Sequence, residues 1–200
     1  FSNITFRLAG NLNTLNMETI PVGSANTRLV TGDNVLCLQV HNHSTSGANF
    51  LIQADLQMAG GETLADHQSF WKYFPGLSEP SGGLLDYGLY YAFVHQLSAV
   101  AWTTRGFDDA DWPVSPGPVG IEGANPPDYL LGTNLYQQVY NITPTIYSRL
   151  VFSLSPEEAA AEAPLRLTLD YDDGVIVYLN GREVARRNVG KPGVPTARTA

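Results

Sequence analysis

The chain has 200 residues, 15% of them charged, and a formal net charge of −8. That length suits one large β-sandwich or two small domains, and the acidic balance repels phosphate backbones, so nucleic acid is not an expected partner. The single cysteine, Cys37, rules out an intrachain disulfide, and no run is long enough to insert in a membrane as a helix.

Abundant Gly, Pro, Asn, Ser and Thr favour many short strands joined by turns over long helices. The sequence opens on Phe1 rather than Met, which reads as a processed or excerpted chain. Gly32-Asp33-Asn34 is a turn that launches a strand over Val35–Val40, with Cys37 as a small buried hydrophobe inside it. After the loop 42–49, a second strand runs from Phe50 to Met58, with Phe50, Ile52, Ala54, Leu56 and Met58 on one face. Ala59-Gly60-Gly61 then marks a candidate boundary.

The segment Leu84–Trp102 is aromatic and nearly uncharged, and its period fits a buried strand pair or a short helix. Residues Ser115–Tyr129, dense in Gly and Pro, read as a long irregular loop. Leu150, Phe152 and Leu154 alternate with Arg149, Val151 and Ser153, and Leu165, Leu167 and Leu169 with Arg166, Thr168 and Asp170, as half-buried strands do. Between them, Ser155 and Glu158 predict a capping box for a short helix over Pro156–Ala161. Val175–Leu179, Asn180-Gly181 and Arg182–Arg186 form a β-hairpin with a type I′ turn, because Asn-Gly supplies both positive φ angles.

Several motifs together resemble the galactose-binding-like jelly-roll modules of large bacterial secreted and surface proteins. They are Trp71-Lys72-Tyr73, the run from Gly106 to Trp112, Tyr147–Leu154, the run from Asp172 to Asn188, and Gly32–Asn42. The resemblance implies an all-β antiparallel sandwich, an extracellular or cell-surface location, and core positions for Trp71 and Trp112. Cys37 stands where such modules carry a small residue, and Leu84–Trp102 reads as an insertion.

The motif order is displaced. In such modules the Gly-x-Asn-Val-Leu run closes the domain, whereas here it comes first. Residues 1–60 look like the closing strands and residues 62–200 like the first two thirds. About 60 residues of β-sequence are not expected to stand alone, and the remainder would expose unpaired backbone. Three readings satisfy both pieces: a circular permutation closed within the chain, strand exchange with a neighbouring copy, or a window on a tandem array.

The expected function is therefore structural: a non-catalytic extracellular module joined to copies of itself or to tandem modules. Its assembly residues would be Val35, Leu36, Leu38, Val40, Phe50, Ile52 and Leu56, with Tyr90, Tyr91 and Phe93 from the insertion. The alternative is a carbohydrate-binding module, with Tyr87, Tyr90, Tyr91 and Trp102 as a stacking platform for glycans. Core packing is a third role for the same rings.

Asp170, Asp172 and Asp173 cluster at a bend and offer the hard oxygens that Ca²⁺ takes, and the resemblance adds weight to a structural calcium there. Solvated turn acids are the other reading. His41 and His43 sit two apart at a strand end, with no third ligand nearby in sequence, while His67 and His95 stand alone. Asn3, Asn42 and Asn141 head glycosylation sequons. No serine-nucleophile motif or phosphate-cradling loop is present, and no carboxylate pair is marked for a cleft, so catalysis is not expected.

Overall fold

A computed structural model describes residues 17–47, 49–78, 80, 101–122 and 131–190. Its strands are β1 (Glu18–Ser24), β2 (Gly32–His41), β3 (Asn49–Met58), β4 (Thr63–Ala65), β5 (Phe70–Pro75) and β6 (Val114–Pro116). They continue with β7 (Val119–Glu122), β8 (Thr133–Asn134), β9 (Thr145–Leu154), β10 (Pro164–Asp172), β11 (Gly174–Leu179) and β12 (Arg182–Arg187). The short helices are α1 (Ala25–Arg28), α2 (Tyr136–Val139) and α3 (Pro156–Ala160), with a 3₁₀ turn at Ala101–Thr103.

Two six-stranded sheets result. The first runs β1-β10-β3-β7-β8, with β4 on β3, and the second runs β12-β11-β2-β9-β5-β6. The chain is all-β and has β-sandwich character. Alternation explains the core. Leu36, Leu38 and Val40 of β2 are buried with Phe50, Ile52, Ala54 and Leu56 of β3 and with Leu165, Leu167 and Leu169 of β10. These are the inward positions that a period of two prescribes.

The consecutive strands β2 and β3 lie inside the two sheets. β2 pairs with β11 on one side and β9 on the other, and β3 pairs with β10 and β7. All of these partners belong to the same chain. Val35–Val40 is buried residue by residue because both faces of β2 are covered, as in any strand sandwiched on two sides. The second cover is a separate cluster in which Val35 and Cys37 pack with Trp102, Trp112, Tyr147, Ile176, Tyr178 and Val189. Residues 101–112, which carry the Phe107-Asp108-Asp109 motif, supply much of that outer layer.

Local signals account for the joints. Asn180 and Gly181 have φ of 51° and 82°, as the hairpin requires. Asn180 also docks the turn on β2: its Oδ1 accepts from Val35 N at 3.0 Å and its Nδ2 donates to Asn34 Oδ1 at 2.8 Å. Before α3, Ser155 Oγ accepts from Glu158 N at 3.2 Å while Glu158 Oε2 accepts from Ser155 N at 2.6 Å, completing the capping box.

Of the region expected to be one irregular loop, Ser115–Tyr129, the described part instead contributes to β6 and contains β7, and residues 123–129 lie outside the described residues. Pro and Gly hide this from a propensity reading, yet each has a strand use here. β6 is a three-residue edge strand, where a proline removes no ladder bond of consequence. Gly120 lets β7 press against β3, since a Cβ there would stand 2.1 Å from the Phe50 carbonyl oxygen. At the candidate boundary, Gly60 and Gly61 adopt φ of 114° and 96° in a tight turn from β3 to β4.

Candidate functional site

The residues of β2 and β3 expected to serve in assembly are all buried: Leu36, Leu38, Val40, Phe50, Ile52 and Leu56 lie in the main core of this chain, and Val35 lies in the outer cluster with Cys37. Tyr87, Tyr90, Tyr91 and Phe93 lie outside the described residues. Trp102 is 0% exposed, edge-on to Tyr147 at 5.1 Å and to Tyr178 at 5.7 Å, so no face is left for a sugar to stack on. Trp71 and Trp112 are buried as well.

The outer layer is fixed by charge. Arg149, on β9, is buried and donates from Nε to Asp109 Oδ2 at 2.7 Å. Its NH1 donates to the Trp102 carbonyl, and both terminal nitrogens reach the Thr104 carbonyl at 3.3 Å. Its guanidinium also lies 5.2 Å from the Phe107 ring centroid. Lys72 Nζ meets the other carboxylate oxygen at 2.6 Å. Burial acts to raise the Asp109 carboxyl, but hydrogen bonds and charge from Lys72 and Arg149 hold it below the ordinary aspartate value. Cys37 lies under this layer, and burial pushes its thiol up to about 12, against the nearby Arg149 charge. A thiol so buried and so weakly acidic is not a nucleophile.

The predicted calcium ligands sit where β10 passes into β11. Burial, a hydrogen bond to Asp173 and the Asp173 charge raise the Asp172 carboxyl to about 7. Asp173 Oδ2 is engaged elsewhere, accepting from His43 N at 2.7 Å and meeting His43 Nδ1 at 2.8 Å. The donor atoms of Asp170, Asp172 and Asp173 are not a convergent group of the kind formed by three other residues described below.

His41 and His43 separate. His43 is exposed, whereas His41 is buried, with Nδ1 3.4 Å from Thr145 Oγ1 and no hydrogen-bond partner on Nε2 among the described residues. Burial, then the Arg186 charge, lower its pKa to about 4, so it is neutral at pH 7. Of the sequons, Asn141 is exposed and Asn42 is buried, and Asn3 lies outside the described residues.

His67 does not stand alone. Asp55, Asp66 and His67 bring one ligand atom each within 4.8 Å of one another. His67 Nδ1 lies 2.7 Å from Asp55 Oδ1 and 3.6 Å from Asp66 Oδ1, and His67 N donates to Asp55 Oδ1 at 2.8 Å. Asp66 and His67 were visible as neighbours in sequence. Asp55 joins them only through the β3–β4 pairing, which no spacing motif announces. No helix among the described residues is long and apolar enough to cross a membrane. No protein-family model, curated protein or solved structure matches the chain.

Proposed function

We propose that the chain is a non-catalytic structural module of an extracellular or surface assembly. In this reading the sandwich is a galactose-binding-like jelly roll whose closing strands lead the sequence, and segment 18–58 is the part that joins one copy to the next. The observation that carries the reading is the central position of β2 in one sheet and β3 in the other. Without them, β1-β10 and β7-β8 separate in the first sheet, as do β12-β11 and β9-β5-β6 in the second. Each fragment would then present an open edge and an uncovered core.

The same registers that close the sandwich in one chain are open to the segment of a neighbouring copy once the turn between Met58 and Thr63 extends. A second contact surface supports the reading. Phe70, Val114 and Val151 are 68%, 54% and 52% exposed and share the outer face of the second sheet beside the edge strand β6. Large side chains grouped at a short edge suit contact with another copy.

Deleting Gly60 and Gly61 tests the proposal, because the shortened link prevents the segment from turning back on its own chain. The expected product is a folded dimer or longer polymer with an unchanged far-ultraviolet spectrum. A folded monomer from the deleted chain would overturn the exchange reading.

A further inference from the structure

We propose that Asp55, Asp66 and His67 form a binding site for a first-row divalent metal ion of the zinc class. Three ligand atoms from three residues already lie within 4.8 Å of one another. An imidazole nitrogen with two carboxylate oxygens is a borderline nitrogen–oxygen set, which suits Zn²⁺ or Co²⁺ better than the all-oxygen shells of Ca²⁺ and Mg²⁺. His67 Nδ1 lies 2.7 Å from Asp55 Oδ1 and 3.6 Å from Asp66 Oδ1, so both carboxylates converge on the imidazole.

The scaffold is fixed without the ion. The His67 backbone is held by Asp55 Oδ1, Asp66 Oδ1 accepts from Gln68 N at 2.7 Å, and Trp71 Nε1 donates to the Asp66 carbonyl at 3.2 Å. Among the described residues, no hydrogen bond is made to Oδ2 of Asp55 or Asp66, so each carboxylate has an oxygen to offer. Coordination through Nδ1 requires the neutral His67 tautomer that carries its proton on Nε2, which leaves the Nδ1 lone pair for the metal.

A second observation lies on the inner side of His67. That residue, with Trp71 and Ser148, lines a void of about 10 Å³. Ser148 Oγ is buried there without a hydrogen-bond partner among the described residues. The void has room for about one water. The remaining ligand positions face solvent, since the His67 and Asp66 side chains are both partly exposed.

Because Asp55 belongs to β3 and the other two residues follow β4, the ion would pin the β3–β4 turn. The test uses the full chain, freed of metal with a chelator and titrated with ZnCl₂ by calorimetry, with CoCl₂ absorption as a second readout. One equivalent should bind, and Co²⁺ should give visible ligand-field bands. Asp66→Asn changes an exposed ligand and leaves the fold intact; it should weaken binding roughly tenfold or more. His67→Gln should abolish the Co²⁺ bands, whereas His43→Gln should leave both readouts unchanged. Absence of saturable Zn²⁺ binding, or binding that survives Asp66→Asn and His67→Gln unchanged, would overturn the assignment.

Discussion

Arg149 and Asp109 meet at 2.7 Å between a central strand and the layer that covers it, and the arginine side chain is 1% exposed. Removing the carboxylate leaves a buried guanidinium with carbonyl partners and no counter-charge. Asp109→Ala should therefore destabilise the fold by about 3 kcal/mol, measured by urea unfolding, because breaking a buried pair costs far more than losing an exposed one. The sign of the pH effect follows from the depressed Asp109 carboxyl. Its contribution is present above the ordinary aspartate pKa and is lost as pH falls through the folded value.

The Asn180 turn separates two contributions. Asn180→Gly keeps the positive φ but loses the bonds to Val35, Asn34 and Arg28, and should cost about 1–2 kcal/mol. Asn180→Ala loses the same bonds and adds left-handed strain of about 1 kcal/mol. Equal stabilities for the two variants in thermal unfolding would contradict this division.

Those two features differ in how far the sequence announced them. The Asn180-Gly181 hairpin and the Ser155–Glu158 box are local: a few adjacent residues carry all of the geometry, so they were legible. The alternation of Leu165, Leu167 and Leu169 was legible for the same reason. β6 and β7 were not, because Pro116, Pro118 and Gly120 meet demands of an edge and of a close approach to Phe50 that only tertiary contact creates. Trp102 as a ligand platform failed likewise: an aromatic residue reads alike whether exposed or covered, and Tyr147 and Tyr178 cover it. Asp55 beside His67 depends on strand register, which is invisible in spacing.

His41 gives an acid-side prediction. Its folded pKa of about 4 lies below the ordinary 6.5, so the stability from holding it neutral is complete above about pH 6.5 and is lost as pH falls toward 4. The shift corresponds to about 3 kcal/mol at most. His41→Asn should flatten the decline in wild-type stability between pH 6.5 and 4.5, as followed by urea midpoints.

Asp172 acts in the opposite direction. Its folded pKa, raised from 3.8 to about 7, makes stability fall as pH rises between those values. Asp172→Asn mimics the protonated form. It should match wild type near pH 4 and exceed it at pH 8 by about 1 kcal/mol, after allowance for partial solvent screening. A difference that does not change with pH would contradict this.

The most direct test of the structural-module reading is the mass of the native 200-residue chain as a function of concentration, by multi-angle light scattering. Exchange of segment 18–58 between copies predicts dimers and larger species that grow with concentration and persist on dilution, because reclosing requires β2 and β3 to leave both sheets. A single species at the 21.7 kDa chain mass across the whole range would contradict it, and would mean that the segment serves to close its own chain.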